Sequence, residues 1–494
     1  MKKPTVLHIT PHMPGGLGRV LLSTLKYSYN NRSSFNHEII ITDAKHLTNN
    51  VLKMFSKYSK SIYLGKKNSF IKKKIEEADI VQIEYWNHPM IYKFLDSFIF
   101  PKARVIFCLH NNGLSRPTVI TKSIIDFCDI FLSTTKATRK HPLFRSKNKT
   151  VYIKKLKFIK YPVDFERFKS IELKKHKGFN VGYIGTVDYS KMHEKIFSMS
   201  AATNIPNSKF IICGDGSDKD KVKKEVKNYP TKKFQCIGFV ENVKKVLEKL
   251  DVFGYPLNPN HFGSGEQVIL EAMYAGLPVV AFSNPSEKEI IENKKTGILV
   301  DSEDEYTKAI EFLYKRPMER KRIGDNAKRH ITLELKPEKC FTKLNNIYFN
   351  TMKLKKKTRV FPKLIKKNKN EDNDLGARLF IKSLEDQGLE FKKSYRNHGK
   401  KINIKINKII SKVEFAMKTK TKGSIFQYLY FFPEDAYLNF WAGLISIFDK
   451  NILKGQDASI AKTTIDCFQK AIKKQKKNKE FQYYIKQAEN NKYL

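Results

Sequence analysis

The chain has 494 residues, a length that predicts about two to four domains. Its 41% hydrophobic and 12% aromatic content excludes a mostly disordered protein, and no run of about 18 apolar residues could span a membrane as a helix. Lysine and arginine number 94 against 49 acidic residues, a net charge of +45. The six cysteines form no CxxC pair and the first residues turn polar too soon for a signal peptide, so we expect a soluble protein in a reducing cytoplasm.

The positive charge has two interpretations. The excess is mostly lysine spread along the whole chain, beside many Ile, Asn, Phe and Tyr residues, as an AT-rich coding sequence tends to produce. The functional alternative is attraction to a polyanion, either an anionic membrane surface or a nucleic acid. No RNP, KH or zinc-finger pattern accompanies the lysines, which makes nucleic acid an unlikely partner. Peripheral binding at the inner face of the membrane therefore stays open beside compositional bias.

The first third of the chain alternates short apolar runs with helical stretches. The predicted strands are Thr5–Thr10, Glu38–Thr42, Ile80–Glu84 and Arg104–Leu109, and a Gly-rich turn after the first leads into a helix from Leu17 to Tyr27. Strands that alternate with helices predict a parallel sheet covered on both faces. We therefore expect a Rossmann-like domain at residues 1–175.

The same alternation starts again after Lys177. The predicted strands are Asn180–Ile184, Lys209–Cys213, Phe234–Ile237, Val252–Tyr255, Pro278–Phe282 and Gly297–Val300, with helices at Lys191–Ala202, Lys219–Lys227, Val243–Leu250 and Glu266–Ala275. The sequence thus predicts an α/β fold of two doubly wound, Rossmann-like domains that face a cleft, the second at residues 176–335.

The last third of the chain has a different texture. Residues 353–376 form a basic linker that is rich in lysine, and residues 377–494 show helical periodicity without strand alternation. Trp441, Leu444 and Phe448 fall on one helical face, and Phe468 and Ala471 fall on a later one. These residues predict an all-α C-terminal region, either a tetratricopeptide-type helical pair or an ordinary helical cap.

The segment richest in chemical signals runs from His261 to Pro278. Ser264 and Gln267 have the spacing of a capping box, so the helix should begin at Gly265. The free N–H groups at such a helix start can hold a phosphate. Glu271 lies one turn after Gln267 on the same face, where its carboxylate can accept hydrogen bonds from sugar hydroxyls. Periodicity alone favours this role no more than that of a solvated glutamate on a surface helix.

Together with other segments, this stretch resembles glycosyltransferase family 4, a retaining family with the GT-B fold that uses nucleotide-sugars. The resemblance covers about residues 1–350, and its motifs are specific as an ordered set. They are Gly15-Gly16-Leu17-Gly18-Arg19, His110, Gly185 with Lys191, Cys213-Gly214-Asp215-Gly216, Ile237-Gly238-Phe239-Val240, Glu271-Ala272-Met273 with Gly276-Leu277-Pro278, Glu289-Ile290-Ile291 and Thr296-Gly297.

The resemblance implies a role for each matched position. Glu271 would bind the ribose hydroxyls of the nucleotide, and Lys191 would contact the donor phosphates. The amides of Gly265, Glu266 and Gln267 would also hold phosphate, while those of Gly15 and Gly16 would approach it from the N-terminal side. His110 would contact the transferring sugar. The resemblance also implies that a helix at residues 336–352 crosses back to the first domain.

Two positions depart from the family pattern. Gly263 stands where the family commonly has a glutamate, eight positions before Glu271, and Thr186 stands where it commonly has an arginine. A subset of the family carries a Gly-Ser/Thr-Gly-Glu-Gln loop, so we expect Glu266 to serve in place of the missing acid. Glu266 and His110 are therefore the predicted catalytic residues.

The implied function is a hexosyltransferase-type enzyme (EC 2.4) that acts with retention, by front-face attack. It would transfer a sugar to a glycan, a lipid-linked acceptor or a protein, in surface polysaccharide or glycan biosynthesis. No clustered Asp-x-Asp with metal-ligand geometry is evident, so we expect a reaction without metal or other cofactor. Two alternatives stay open: a sugar-nucleotide epimerase on the same fold, and a non-catalytic binding or scaffold protein with a decayed site.

Overall fold

In the computed structural model, the described residues are 3–362, 374–389, 424–448, 458–482 and 486, apart from 14, 31–32, 44–46, 48, 115–119, 146–148, 217, 231, 260, 387 and 479–480. The lysine-rich part of the predicted linker, 363–370, lies outside them. The described residues form two compact units. The first combines residues 1–84, 103–115 and 128–357, and the second combines residues 85–102, 116–127 and 358–494. The boundaries drawn from the sequence at 175, 335, 352 and 376 stay predictions.

The first sheet has seven strands in the order β3-β2-β1-β4-β6-β7-β8, and β1 pairs in parallel with both β2 and β4. Its strands are β1 (Thr5–Thr10), β2 (Asn36–Ile41), β3 (Ile62–Leu64), β4 (Ile80–Tyr85), β6 (Val105–Leu109), β7 (Ile130–Ser133) and β8 (Leu156–Phe158), while β5 (Phe100–Ala103) lies outside it. The helices of this stretch are α1 (Gly15–Tyr29), α2 (Asn49–Ser56), α3 (Asn68–Glu77), α4 (Pro89–Asp96), α5 (Lys122–Phe127) and α6 (Lys149–Lys155).

The second sheet has six strands in the order β11-β10-β9-β12-β13-β14, all paired in parallel. They are β9 (Phe179–Ile184), β10 (Ser208–Cys213), β11 (Phe234–Gly238), β12 (Val252–Tyr255), β13 (Val279–Phe282) and β14 (Ile298–Val300). The helices are α7 (Ile196–Ala201), α8 (Lys219–Val226), α9 (Val243–Leu247), α10 (Gln267–Tyr274), α11 (Glu303–Lys315), α12 (Pro317–Glu334) and α13 (Pro337–Met352). Two doubly wound parallel sheets were predicted, and both are confirmed.

The glycines of the Cys213-Gly214-Asp215-Gly216 motif allow a close approach between two strand ends. Gly214 has a φ of +149°, and a Cβ atom there would overlap the carbonyl oxygen of Gly185 at the end of β9. A Cβ on Gly216 would overlap the carbonyl oxygen of Val187. Only glycine fits such positions without moving the backbone. The motif therefore packs the loop after β10 against the loop after β9.

Helix α13 contributes to the core of the first sheet. Phe341, Leu344 and Tyr348 are buried in one apolar cluster with Val6 and Ile80 from β1 and β4. The Tyr348 hydroxyl also donates a hydrogen bond to Gln82 Oε1 at 2.8 Å. The last helix of the first unit thus covers one face of its first sheet.

The second unit is mainly helical. It contains α4, α5 and the tail helices α14 (Leu375–Leu384), α15 (Ile425–Phe431), α16 (Ala436–Phe448) and α17 (Ala458–Lys474). Strand β15 (Lys357–Arg359) pairs with β5 in a two-stranded sheet. Asp96 at the end of α4 accepts hydrogen bonds from Lys382 at 2.5 Å and Arg378 at 3.3 Å, both on α14. These contacts join the tail to residues 85–102, which lie between two strands of the first sheet in the sequence.

Two aspartates cap each other's helices in this unit. The Ala436 N–H donates to Asp374 Oδ1 at 2.9 Å, and the Ala377 N–H donates to Asp435 Oδ2 at 2.9 Å. Asp374, which precedes α14, thus caps the start of α16, and Asp435, which precedes α16, caps the start of α14. Burial raises the pKa of Asp435 to about 6, and the nearby Asp374 adds to that rise. The exchange ties α14 to α16.

In the described part of residues 377–494, all regular secondary structure is helical, as predicted. Trp441 is buried against Phe380 and Tyr437, and Phe468 and Ala471 are buried on α17. The side chains of Leu444 and Phe448 lie outside the described residues, so their predicted face is not tested. Among the described helices, none has both the length and the apolar character needed to cross a bilayer.

Candidate active site

The loop before α10 starts the helix later than predicted. Helix α10 begins at Gln267 rather than Gly265, and no side chain caps it. The predicted capping box does not form, because the N-cap residue is Glu266 rather than Ser264. The Ser264 hydroxyl is instead hydrogen-bonded at 2.7 Å to the Thr134 hydroxyl. The first N–H groups of α10 therefore have no capping side chain, which is the arrangement that favours an anionic ligand.

Both halves of the first unit hold this loop in place. The Asn112 side chain donates to the carbonyl of His261 at 2.8 Å, and the Asn112 N–H donates to the carbonyl of Phe262 at 2.9 Å. From the other side, the Ser286 hydroxyl donates to the Gly263 carbonyl at 3.0 Å. The backbone around Gly263 is thus fixed before any ligand binds.

Glu266 is buried between a cation and a phenol. Its Oε2 accepts hydrogen bonds from Lys191 Nζ at 2.9 Å and from the Tyr255 hydroxyl at 2.9 Å. Burial opposes ionisation, but Lys191 and His261 together lower the pKa of Glu266 below its ordinary value. A Cβ atom on Gly263 would overlap Glu266 Oε1. The Glu266 carboxylate therefore occupies the space in which a side chain at position 263 would begin.

Lys191 lies in a turn rather than in the predicted helix. Helix α7 begins at Ile196, five residues later than the predicted start. Asp188 shapes the turn, since its carbonyl accepts from the N–H groups of Lys191 and Met192 and its carboxylate accepts from that of Ser190. The turn directs the Lys191 ammonium to Glu266.

Glu271 is buried on α10 and paired with two arginines. Its Oε1 accepts a hydrogen bond from Arg19 of α1 at 2.9 Å and another from Arg167 at 3.2 Å. Burial raises the pKa of Glu271, while Arg19 favours the ionised form. A solvated glutamate on a surface helix, the alternative left open by periodicity, does not describe this buried side chain.

Gly15 and Gly16 form the first residues of α1. Gly15 has a φ of +78°, and a Cβ on either glycine would meet no atom within 4 Å. Gly18 is the crowded glycine of the motif, because a Cβ there would overlap the Met13 carbonyl oxygen. The backbone at Gly15 and Gly16 is thus open to approach, and its proposed role toward phosphate stays a prediction.

His110 follows β6 and is bound to a buried carboxylate. His110 Nε2 lies 2.6 Å from Glu84 Oε2, and the other oxygen of Glu84 lies 2.7 Å from His8 Nδ1. Burial alone would raise the pKa of Glu84, but His110 and His8 lower it to about 2. Glu84 is therefore an anion held within the first sheet.

One group among the described residues has the composition of a metal site. The potential ligand atoms of Glu84, Cys108 and His110 lie within 4.8 Å of one another. A metal would need the Cys108 thiolate, yet burial raises the pKa of that thiol. It would also have to replace the hydrogen bonds that Glu84 accepts from both histidines. The donor set therefore fits a hydrogen-bonded network better than a metal site.

Sequence reasoning assigned no role to several residues of this site. Arg19 stood in the glycine motif without a function, and Arg167, Tyr255 and His8 were not singled out. For His8 the signal was present: His8 and Gln82 are paired across β1 and β4, and Glu84 lies two residues further on the same face. The pairing of β1 with β4, which is not evident from the sequence, was needed to recognise that His8 lies close to Glu84.

Two facing sheets of this topology define the GT-B fold, which confirms the predicted fold class. The solved structure of HepE from Anabaena in complex with UDP and glucose is similar, with a TM-score of 0.55 at 15% identity over 71% of this chain and 99% of that chain. Residues 164–330 match the family described as Glycosyl transferases group 1, and this range contains Lys191, Glu266 and Glu271.

Two curated proteins are similar over part of the chain. The 2-deoxystreptamine N-acetyl-D-glucosaminyltransferase of Niallia circulans is 26% identical over 127 residues, which are 25% of this chain and 32% of that protein. The alpha-monoglucosyldiacylglycerol synthase of Acholeplasma laidlawii is 30% identical over 115 residues, which are 23% of this chain and 28% of that protein. The matches thus span about a third of the length of these relatives.

Proposed function

We propose that this protein is a retaining glycosyltransferase that moves a sugar from a nucleotide-sugar to an acceptor hydroxyl. The group 1 domain, the names of both relatives and the UDP and glucose bound by HepE support a donor of this class. The observation that carries the proposal is the ionised Glu266, buried beside Gly263 and held by Lys191 and Tyr255.

In this proposal Glu271 binds the ribose of the nucleotide. A carboxylate has about four acceptor sites, and the arginines use two of them, so capacity remains for two neighbouring hydroxyls. The two arginines hold the side chain in one orientation before the nucleotide arrives. They also bring positive charge to the side of α10 on which the diphosphate would lie.

Lys191 and the start of α10 stabilise the leaving diphosphate. Glycosyl transfer builds negative charge on that group, and preorganised N–H donors and cations lower the barrier most when they stand where the charge develops. Lys191 has three donor protons, so it can hold Glu266 and a phosphate oxygen together. The amides of Gly265 and Gln267, with those of Gly15 and Gly16, would add further donors. With these groups, the reaction would proceed without a metal ion.

Glu266 and His110 would flank the transferring sugar. A buried anion favours the positive charge that develops on the sugar in an oxocarbenium-like transition state. Attack from the front face, with the leaving phosphate assisting removal of the acceptor proton, accounts for retention without a second carboxylate nucleophile. We infer a glycan, a lipid-linked acceptor or a protein as acceptor, in surface polysaccharide or glycan biosynthesis.

A panel of nucleotide-sugars tests the proposal. The purified chain is incubated with each donor, with glycan and lipid-linked acceptors or with none, and with or without EDTA. We expect acceptor-dependent release of nucleoside diphosphate from one donor, at a rate that EDTA does not change. Epimerised donor without any acceptor would indicate an epimerase instead. Binding without turnover across the panel would indicate a non-catalytic protein, and recovery by Mg²⁺ after EDTA would refute the metal-independent mechanism.

A further inference from the structure

A buried chain of polar side chains ends at Glu84. His37, His8, Glu84 and Gln82 are nearly inaccessible to solvent, at 7%, 2%, 1% and 1% exposure. Buried polar groups at such density are costly unless each finds a partner. We propose that Glu84 is a positioning residue that fixes the ring orientation and tautomer of His110. This inference rests on the proposed glycosyl transfer, in which His110 contacts the sugar.

The donors around Glu84 can be assigned one by one. The Tyr348 hydroxyl donates to Gln82 Oε1 at 2.8 Å, so the amide nitrogen of Gln82 faces Glu84 Oε1, at 2.9 Å. The same oxygen lies 2.7 Å from His8 Nδ1, and an ionised carboxylate can only accept. His8 Nδ1 therefore carries a proton directed at Glu84.

The hydrogen bond between His8 and His37 is compatible with a proton on His8 Nδ1. His8 Nε2 lies 2.9 Å from His37 Nδ1, and burial together with His8 holds the pKa of His37 well below its ordinary value. A neutral His37 can donate a hydrogen bond from its Nδ1 to His8 Nε2, which leaves the proton of His8 on Nδ1. Every hydrogen bond in the chain then points toward Glu84.

The same rule settles the tautomer of His110. Its Nε2 lies 2.6 Å from Glu84 Oε2, so Nε2 carries the proton that this anion accepts. In a neutral His110 ring, Nδ1 is then the nitrogen without a proton. If Glu84 were neutral and able to donate, the ring could bind in the opposite tautomer. The buried charge on Glu84 thus selects which nitrogen of His110 carries the proton.

The first measurement needs no variant. The full chain is labelled with ¹⁵N-histidine, and the His110 signals are assigned by their loss in His110→Gln. Two-bond nitrogen–proton correlations then report the ring protonation. We expect a protonated Nε2 in the absence of any substrate. A His110 ring with unprotonated Nε2 would overturn the inference, whatever the outcome for transferase activity.

The second measurement uses Glu84→Gln. The amide offers one acceptor and one donor group, so it cannot accept from both histidines. We expect a mixture of His110 tautomers and a fall in kcat of about 10- to 100-fold, the size of effect seen for hydrogen-bond partners of metal-binding histidines. Affinity for a bare nucleoside diphosphate should stay within about twofold, because Glu84 does not touch the donor. A wild-type kcat in Glu84→Gln would refute the positioning role.

Asp79→Asn is the matched control. Asp79 precedes the same strand, and its Oδ2 accepts from the Thr5 N–H at 2.8 Å, away from the histidines. This variant should lose stability while it keeps the His110 tautomer and kcat. A double variant completes the test: Glu84→Gln should cost little further in a His110→Ala background, because it acts through that ring. Equal losses in both backgrounds would show that Glu84 acts on folding alone.

Discussion

The change that best tests the site is Glu266→Ala. The carboxylate accepts hydrogen bonds from Lys191 and Tyr255, both at 2.9 Å. If one further charge-assisted hydrogen bond to the sugar forms in the transition state, its loss costs about 1.5–3 kcal/mol, which lowers kcat about tenfold to 150-fold. The variant also frees Lys191 from its buried anion. Affinity for the bare nucleoside diphosphate should therefore be kept or increased.

Calorimetric titration and rate measurement separate these effects. Bare nucleoside diphosphate and intact nucleotide-sugar are titrated into wild type and variant, and transfer is followed at saturating donor. The control is Glu319→Ala, which removes an exposed carboxylate paired with Arg322 at 2.7 Å and should change neither quantity. Equal losses of both affinities in Glu266→Ala, with kcat unchanged, would refute the assignment of Glu266 to the sugar.

Three further predictions concern the nucleotide, the tail and the surface charge. Glu271→Ala should weaken binding of both bare diphosphate and nucleotide-sugar by about tenfold to hundredfold, measured by calorimetry, since its hydrogen bonds to ribose are the same in either ligand. Asp435 has a folded-state pKa of about 6 against an ordinary 3.8, so the second unit should lose about 2 kcal/mol of stability as pH rises from 4 to 7. Denaturant unfolding followed by tryptophan fluorescence checks this, because Trp86 and Trp441 both lie in that unit, and Asp435→Asn should flatten the profile. If the +45 charge is functional, binding to anionic vesicles should fall steeply between 0.01 and 0.15 M salt, where the screening length drops from about 30 to about 8 Å, and equal binding to neutral vesicles would contradict it.

Strand positions were predictable because buried parallel strands are near-continuous apolar runs. The runs at Thr5–Thr10 and Val252–Tyr255 were bounded without error, and the others within two residues. The pattern missed β3, β5, β7, β8 and β15, which have three or four residues each. A run of three or four residues gives few positions from which to distinguish a strand from a loop, so some strands of this length, such as β12 and β14, were predicted and others were missed.

Predictions made from short sequence windows failed where contacts between residues far apart in the sequence determine the local geometry. Ser264 has the spacing of a cap, but the helix starts two residues later than predicted, and the Ser264 hydroxyl bonds to Thr134, 130 residues earlier in the chain. Arg19 and Glu271 are separated by 252 residues, so no window of sequence could reveal their pairing. The departure at Gly263 was visible in the sequence, and the role of Glu266 as the substituting acid stays a prediction. The sequence alone did not show that the fold places the Glu266 carboxylate beside Gly263.

That placement makes the two positions interdependent, which Gly263→Ala tests. A Cβ atom at 263 would overlap Glu266 Oε1 and lie 2.8 Å from His261 Nδ1, so the Glu266 side chain must move. Moving it breaks the bonds to Lys191 and Tyr255. We expect Gly263→Ala to lower kcat by about as much as Glu266→Ala, that is about tenfold to 150-fold, and to spare binding of the bare diphosphate.

The double variant Gly263→Ala/Glu266→Ala decides whether the two positions act as one. If Gly263 matters because it leaves room for the Glu266 carboxylate, the methyl group costs nothing once that carboxylate is gone. The double variant should then equal Glu266→Ala alone in kcat, a coupling of about 1.5–3 kcal/mol. If instead the methyl group disturbs His261 and the loop backbone, the two losses should multiply and the melting temperature should fall in both backgrounds. Multiplicative losses would therefore refute the view that Glu266 stands in for an acid at position 263.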